Sequence, residues 1–213
     1  EGYQNLIKLV SLGFTEGFYT RPRVDRELLE KYHTGLIALS ACLAGEIPRA
    51  LMDDNYDKER EIALWYKNVF GENNYFLEIQ DHGILEQKRI NPLLIKLSKE
   101  LDIPLVATND VHYIKRESAE VQDVLMCIQM QKTLDDKNRL RFSSDEFYLK
   151  SGDEMEELFG YVQEALDNTL KIAEMCNVTI EKENLIPSVF PMRCCYKRHI
   201  QHCADDGDGK NPP

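Results

Sequence analysis

The stretch IPLVATNDVHYI, residues 103–114, is an apolar run that ends abruptly in polar residues. Its first half shows no alternation of apolar and polar side chains, which is typical of a strand covered on both faces. Its second half carries Asp110 and His112 two positions apart, so on an extended backbone their side chains lie on the same side. The stretch predicts a buried strand that ends in two metal-capable side chains.

Two earlier stretches have the same apolar character, TGLIALS (34–40) and YFLEIQ (75–80). Between the strands lie helical patterns, DNYDKEREIALWYKNVFG (54–71), with a glycine at its C-terminal cap, and LEQKRINPLLIKLSKEL (85–101). Strand, helix, strand, helix, strand at these lengths predicts parallel pairing with right-handed crossovers. The predicted fold class is α/β.

Helical patterns also occupy both flanks of this region. EGYQNLIKLVSLGF (1–14) places Leu6, Leu9, Val10 and Leu12 on one side of a helix, and because it starts with Glu1 we expect the chain to begin inside a domain. Asn91-Pro92 predicts a kink or restart of the 85–101 helix.

Beyond residue 115 the pattern predicts a helix at 118–130, a loop at 134–151 with a short strand at Phe147 to Leu149, and two further helices. The first of these two opens with Ser151 and Glu154 at capping-box spacing.

Composition limits the classes of function. With 213 residues, 43% of them hydrophobic, the chain can bury a core. It has neither an apolar run of membrane-spanning length nor the pattern of a signal peptide, so we expect a cytoplasmic protein without membrane partners. A formal charge of -11 argues against a nucleic-acid surface built on bulk positive charge. Six unevenly spaced cysteines do not resemble a secreted disulfide framework.

Metal-capable side chains follow all three predicted strands: Cys42 after the first, Asp81 and His82 after the second, Asp110 and His112 after the third. The carboxyl ends of parallel strands share one edge, where ligands collect. A thiolate, a carboxylate and an imidazole there suit zinc, or manganese or iron with further donors.

Each residue taken alone has a plainer interpretation. In this interpretation Cys42 would be a small buried hydrophobe, Asp110 would cap the following turn, and His112 would be a hydrogen-bonded surface residue. Asp81 and His82, before a glycine, are more simply a turn-forming aspartate and an exposed histidine. The spacing of these residues alone does not decide whether they form a metal site.

Several segments in order resemble the PHP (polymerase and histidinol phosphatase) domain of bacterial DNA polymerase III alpha subunits of the DnaE type. They are FYTRPRVDRELLEKYHTGLIALSACLAGEIPRAL (18–51), FLEIQDHG (76–83), IPLVATNDVHYI, LRFSSDEFYLKS (140–151) and LIPSVFP (185–191). The resemblance runs from residue 1 to about residue 191.

The resemblance implies a distorted seven-stranded (β/α)7 barrel with parallel strands and a metal cluster, commonly trinuclear, at the carboxyl rim. Cys42, Asp110 and His112 correspond to late metal ligands of the family, whereas Asp81 and His82 receive no ligand role and could instead surround the ligands or shape the rim. On this basis 1–116 would be the C-terminal part of the barrel and 117–191 a helical extension closing the PHP region.

Complete family members resemble metal-dependent phosphoesterases and can remove nucleotides from a DNA 3′ end. The family's early ligands, beginning with a His-x-His motif, do not occur in this sequence, nor do the palm carboxylates that bind magnesium for nucleotidyl transfer. We therefore expect this chain by itself neither to polymerise nor to proofread. The parent enzyme would use zinc, manganese or iron at the PHP site, DNA and nucleoside triphosphates as substrates, and a sliding clamp, a clamp loader and, in some members, a proofreading exonuclease as partners.

Two other functions are considered. A stand-alone PHP phosphoesterase would need its own complete ligand set, and the long helical region after residue 117 argues against it. A PHP domain that has lost ligands can instead serve as a docking surface for a separate exonuclease.

The tail, residues 192–213, has no periodicity, and we expect it to be disordered and non-native. It could also be read as a zinc knuckle or part of a calcium loop, but the zinc spacing is unusual and the calcium loop lacks its distal glutamate. Its candidate zinc ligands are Cys194, Cys195, His199, His202 and Cys203.

Overall fold

A computed structural model describes residues 1–180 and contains a parallel three-stranded sheet in the order β1–β2–β3. The strands are β1 (Ala38–Leu39), β2 (Tyr75–Ile79) and β3 (Leu105–Ala107). Ala38 pairs with Tyr75, and Leu77 pairs with Leu105. Both pairings are parallel, which confirms the α/β interpretation, whereas a closed barrel is not formed by the described residues.

Eight helices accompany the sheet in the part of the chain that the structure describes. They are α1 (Gly2–Thr15), α2 (Arg26–Tyr32), α3 (Glu46–Met52), α4 (Tyr56–Phe70), α5 (Leu85–Leu101), α6 (Ala119–Met130), α7 (Gly152–Phe159) and α8 (Gln163–Met175), with 3-10 turns at Arg116–Ser118 and Gly160–Val162. None of these helices is both long and apolar enough to cross a membrane.

The ends of two helices follow directly from sequence. The Asn55 side chain accepts a hydrogen bond from Lys58 N at the start of α4, and the helix ends at Gly71, whose φ of 81° suits glycine. At the start of α7, Ser151 and Glu154 form the predicted capping box. These contacts confirm the positions where the sequence predicts that α4 ends and α7 begins.

Helix α5 continues through Pro92, so the predicted restart at that residue is wrong. Proline removes one backbone donor, but the rest of the helix is held by a buried apolar face that includes Leu94 and Leu97. The neighbouring Asn91 adds a hydrogen bond from Nδ2 to the Gln80 carbonyl oxygen at 3.0 Å. Burial and this bond anchor the helix to the end of β2.

The main core lies between the sheet and its helices. It includes Leu77 and Ile79 of β2, Leu105 of β3, Leu97 of α5 and Phe159 of α7. Helix α8 is tied to β3 by a 2.7 Å hydrogen bond from Asn168 Nδ2 to the Leu105 carbonyl oxygen. Residues Glu1–Asn177 form one compact unit.

A smaller cluster of Tyr113, Phe147 and Tyr148 lies beyond the end of β3. The strand predicted at 147–149 is a single parallel bridge between Tyr113 and Tyr148. The backbone amide of His112 donates to the Phe147 carbonyl oxygen at 2.8 Å, and that of Leu149 donates to the Tyr113 carbonyl oxygen at 3.1 Å. The 140–151 segment is therefore bound to the chain that follows β3.

The apolar face predicted for α1 is only partly buried. Leu9 is buried, whereas Leu6 and Val10 are about half exposed. Helix α6 also carries exposed apolar side chains at helical spacing: Val121, Val124, Leu125 and Ile128. The tail predictions for 192–213 lie outside the described residues.

Candidate functional site

The carboxyl ends of β1, β2 and β3 share one edge of the sheet because both strand pairs are parallel. Residues 40–42, 80–82 and 109–112 follow these ends, and we call them together the rim. All five side chains singled out from sequence therefore lie at the same edge of the sheet. The prediction that the polar strand ends share one edge is confirmed.

Glu78, within β2, connects the ends of β1 and β3 through hydrogen bonds to Ser40, Ala41 and Thr108. One of its carboxylate oxygens accepts from the Ala41 backbone amide and the other accepts from the Thr108 hydroxyl at 2.7 Å. Its own backbone amide donates to Ser40 Oγ at 2.8 Å. Sequence reasoning missed this residue, although an acidic side chain inside an otherwise apolar strand was a visible signal.

Asp110 and His112 form the central pair of the rim. His112 Nε2 lies 3.3 Å from Asp110 Oδ1, and the two side chains are 36% and 37% exposed. The pair is thus accessible to a ligand while remaining partly enclosed. The sequence prediction that these two side chains lie on the same side is consistent with this distance.

The segment after α6 fixes the plane of the His112 ring. Phe142 packs against it with ring centroids 4.6 Å apart, and Phe147 meets it edge-on at 5.6 Å. With the backbone bond from His112 to Phe147, these contacts leave the imidazole few orientations. The LRFSSDEFYLKS motif therefore supports one of the candidate ligands directly.

Cys42 lies elsewhere on the rim. Its partly buried free thiol belongs to a residue that lines a small cavity with Glu78, Gln80 and Asn91. Among residues 1–180, no three His, Cys, Asp or Glu side chains are grouped so that they could hold a metal ion. The donor types suit zinc, manganese or iron, but the described residues bring together only Asp110 and His112, so the three-ligand site stays a prediction.

Asp81 and His82 have different environments. Asp81 Oδ1 accepts from the Gly83 backbone amide at 2.8 Å, and Gly83 has a φ of 73°, which confirms the turn-forming aspartate. His82 is completely buried, so its interpretation as an exposed histidine is wrong. The physical reason is long-range: Phe147 stacks on its ring, with centroids 4.3 Å apart and planes 4° from parallel.

Burial also affects the protonation of His82. Loss of water lowers the pKa of its imidazole, and the nearby Lys150 ammonium lowers that pKa further. Gln87, Asp110 and Asn109 oppose this shift without reversing it. Burial therefore favours the neutral imidazole of His82 over the charged one.

Known proteins are similar to this chain along most of its length. Residues 1–82 match the PHP domain family. The chain is 46% identical over 207 residues to the DNA polymerase III subunit alpha of Treponema pallidum, covering 94% of this chain and 18% of that subunit. It is 49% identical over 176 residues to that of Borreliella burgdorferi, with coverages of 83% and 15%, and 49% identical over 183 residues to that of Deinococcus radiodurans, with coverages of 84% and 14%.

The matched relatives are much longer proteins, and the chain spans less than a fifth of their length. Over that span the chain is similar to bacterial DNA polymerase III alpha subunits, and its first 82 residues match the PHP domain family.

Proposed function

We propose that this chain is part of a bacterial replicative DNA polymerase, and that its rim belongs to a metal-dependent phosphoesterase site of the 3′ to 5′ exonuclease type in the PHP domain. The observation that carries the proposal is the Asp110–His112 pair at the carboxyl edge of a parallel sheet. The similarity to alpha subunits along most of the chain supports the same assignment.

The ion and the residues of the chain would have different roles in the reaction. A divalent ion such as zinc, manganese or iron, when bound, would supply Lewis-acid chemistry and lower the pKa of a bound water towards neutrality. Asp110 and His112 would hold that ion rather than take a proton from the substrate, and Cys42 is proposed as a further ligand. Phe142 and Phe147 would keep the His112 ring in place.

The test uses an alpha subunit in which this sequence forms part of the PHP domain. Asp110→Asn or His112→Ala should lower metal-dependent 3′ to 5′ exonuclease activity by about 100-fold or more, since even supporting residues around a metal change activity by about 10- to 100-fold. Polymerisation should remain close to the unchanged rate, because it depends on a different magnesium site in such enzymes. Exonuclease and primer-extension rates would be measured with the metal controlled and any separate exonuclease removed.

His33→Ala is the matched control. His33 follows α2 outside the rim, where its Nδ1 lies 2.8 Å from the Glu30 carbonyl oxygen. This variant should keep both activities. If His112→Ala retains the exonuclease rate of the unchanged protein, the catalytic proposal is contradicted.

The second candidate is a docking domain for a separate proofreading exonuclease. It is favoured by the exposed apolar side chains of α6. Unchanged exonuclease rates in both rim variants, together with co-elution of the alpha subunit and a purified exonuclease, would support this candidate.

The remaining assignments follow from the parent enzyme and are proposed with it. They are DNA and nucleoside triphosphates as substrates, magnesium at its polymerase site, a sliding clamp and a clamp loader as partners, and the bacterial cytoplasm as location.

A further inference from the structure

Residues 17–23, with the sequence GFYTRPR, form a closed loop between α1 and α2, which we call the aromatic–arginine loop. At its base the Arg23 amide donates to the Gly17 carbonyl oxygen at 3.1 Å, and a β-carbon on Gly17 would lie 2.0 Å from the Arg23 carbonyl oxygen. At its tip the amides of Tyr19 and Arg21 donate to each other's carbonyl oxygens, at 3.1 and 2.6 Å. The backbone is therefore held at both the base and the tip, and glycine is required where the base closes.

The loop presents aromatic rings beside arginines at the surface. Phe18 is 57% exposed and Tyr19 is 73% exposed. The Arg23 guanidinium lies over the Tyr19 ring, 5.7 Å from its centroid, and the exposure of that ring leaves its other face open to a ligand. Arg21 and Arg23 are both exposed, and neither forms an ion pair with a residue of the described part, 1–180.

Charge favours a phosphate-bearing ligand for this loop. The chain has a formal charge of -11, yet residues 17–24 contain two arginines and no acidic residue. A protein partner with an apolar surface would use the rings and leave both guanidinium groups without a counter-charge. A single-stranded nucleic acid uses both features, because its bases stack on aromatic rings and its phosphates accept hydrogen bonds from arginine. In a duplex the bases stack on each other, so their faces are not free for Tyr19.

The loop lies on the same side of the sheet as the rim. Helix α2 follows the loop directly, and its first residue, Arg26, pairs with Glu46 at 3.2 Å. Glu46 is the first residue of α3, four positions after Cys42 of the rim. The other end of α2 lies at the opposite side, where His33 contacts Phe70 at the end of α4, before β2 begins. The loop is therefore joined to the end of α2 that is near the carboxyl edge of the sheet.

We propose that the aromatic–arginine loop binds single-stranded DNA, with a base stacked on the open face of Tyr19 and a phosphate bound by Arg21. A strand held in this way has its 3′ end directed towards the rim. This direction rests on the proposed function, whereas binding at the loop requires neither a metal ion nor hydrolysis, so the two proposals can fail separately.

The first experiment measures binding of a labelled thymidine strand of about 12 nucleotides to the 213-residue chain, by fluorescence anisotropy in EDTA. The strand should bind at least about 10-fold more tightly than a duplex of the same length, because only its bases are free to stack. Tyr19→Ala should weaken binding by about 10-fold without changing its salt dependence. Arg21→Gln should lower the slope of log affinity against log salt by about 0.7, the value for one phosphate of a single strand.

Tyr161→Ala and Arg60→Gln are the matched controls, since they remove an exposed tyrosine and an exposed arginine outside the loop. Both should bind the strand as the unchanged chain does. The proposal is overturned if the duplex binds as tightly as the single strand, if the chain binds neither, or if the control variants weaken binding as much as the loop variants.

The second experiment tests the closed shape of the loop and the role of the Tyr19 ring. Gly17→Ala should weaken strand binding, because its β-carbon would displace the Arg23 carbonyl oxygen and open the base of the loop. Gly152→Ala is the control, since a β-carbon there meets nothing within 4 Å. Tyr19→Phe keeps a ring for stacking and should retain the affinity that Tyr19→Ala loses. Full affinity in Gly17→Ala, or equal losses in Tyr19→Phe and Tyr19→Ala, would count against stacking on a preformed loop.

A third measurement separates this proposal from the exonuclease proposal. In an alpha subunit that contains this sequence, Tyr19→Ala should raise the KM for a single-stranded 3′ end by about 10-fold. An unchanged KM would show that the strand does not run from the loop to the rim. If the 213-residue chain binds the strand through Tyr19 and Arg21 while the alpha subunit removes no nucleotides, the loop proposal stands and the exonuclease proposal fails.

Discussion

Asn91 is a buried amide within α5, and it illustrates how one side chain connects a helix to the rim. Its Nδ2 donates to the Gln80 carbonyl oxygen at the end of β2. Asn91→Ala should lower the free energy of unfolding by about 1–3 kcal/mol, because the carbonyl acceptor would stay buried without this donor. Urea unfolding followed by circular dichroism would measure the change.

Asn177→Ala provides the control for this prediction. Asn177 also donates from its side chain to a backbone carbonyl, that of Glu174, but the bond is exposed. Loss of this exposed hydrogen bond should lower the free energy of unfolding by less than about 0.5 kcal/mol, since water replaces the partner. Equal effects of the two substitutions would show that burial of the Asn91 bond contributes nothing.

At the residue scale, sequence identified the Asp110–His112 pair because a two-residue spacing on extended backbone is a local property. It failed for His82 because the covering ring, Phe147, lies far along the chain. It also missed Glu78, whose partners Ala41 and Thr108 come from two other strand ends. Contacts across strands determine these environments, and periodicity in one segment carries no information about them.

At the scale of an element, α4 contains an unusual buried acid. Glu59 is completely buried, and neither carboxylate oxygen has a partner among the described residues. Burial raises its pKa from 4.5 to about 7, with Lys96 opposing the shift and Glu100 adding to it. Ionisation of the buried Glu59 carboxyl therefore destabilises the folded state, and the size of this effect depends on pH.

The sign of the effect follows from the raised pKa. Below pH 4.5 the carboxyl is protonated in both the folded and unfolded states, so its raised pKa does not lower the free energy of unfolding. Between pH 4.5 and about 7 the unfolded chain loses this proton first, so stability falls by up to about 3 kcal/mol and then levels off. Glu59→Gln should remove this part of the pH dependence and be more stable than the unchanged chain at pH 8.

Unfolding free energies at several pH values, compared between Glu59→Gln and the unchanged chain, would measure the effect. Glu61→Gln, an exposed neighbour on the same helix, should leave the profile as it is. A constant difference between the Glu59→Gln and unchanged profiles would contradict the shifted pKa.

Sequence located the main elements well where an amphipathic pattern and an end signal coincide, as in α4 with Gly71 and α7 with Ser151. It was wrong about a restart at Pro92, because burial of the α5 face outweighs one missing backbone donor. The strand expected at 147–149 became a single bridge because, among residues 1–180, it pairs with the short segment around Tyr113.

At the scale of the whole molecule, the formal charge of -11 predicts weak binding of this chain to DNA. Duplex binding by bulk charge needs clustered cations that release counterions. We expect the 213-residue chain to bind a 20-base-pair duplex with a dissociation constant weaker than about 100 μM at physiological salt, the weak end of non-specific binding. Fluorescence anisotropy at falling salt concentrations would test this, and affinity that rises steeply as salt is removed would contradict it.

The parallel sheet has a consequence for the order of events in folding. Ala38 must find Tyr75, and Leu77 must find Leu105, across intervening segments that contain whole helices. Closing such segments costs chain entropy before any strand pairing compensates for it, whereas α4 and α5 can begin to form from local contacts. The two-residue β1 gains little from its own pairing and depends most on partners already in place. The rim is therefore expected to assemble late, after the helices that carry its supporting residues, and to be among the first regions to open when the chain unfolds.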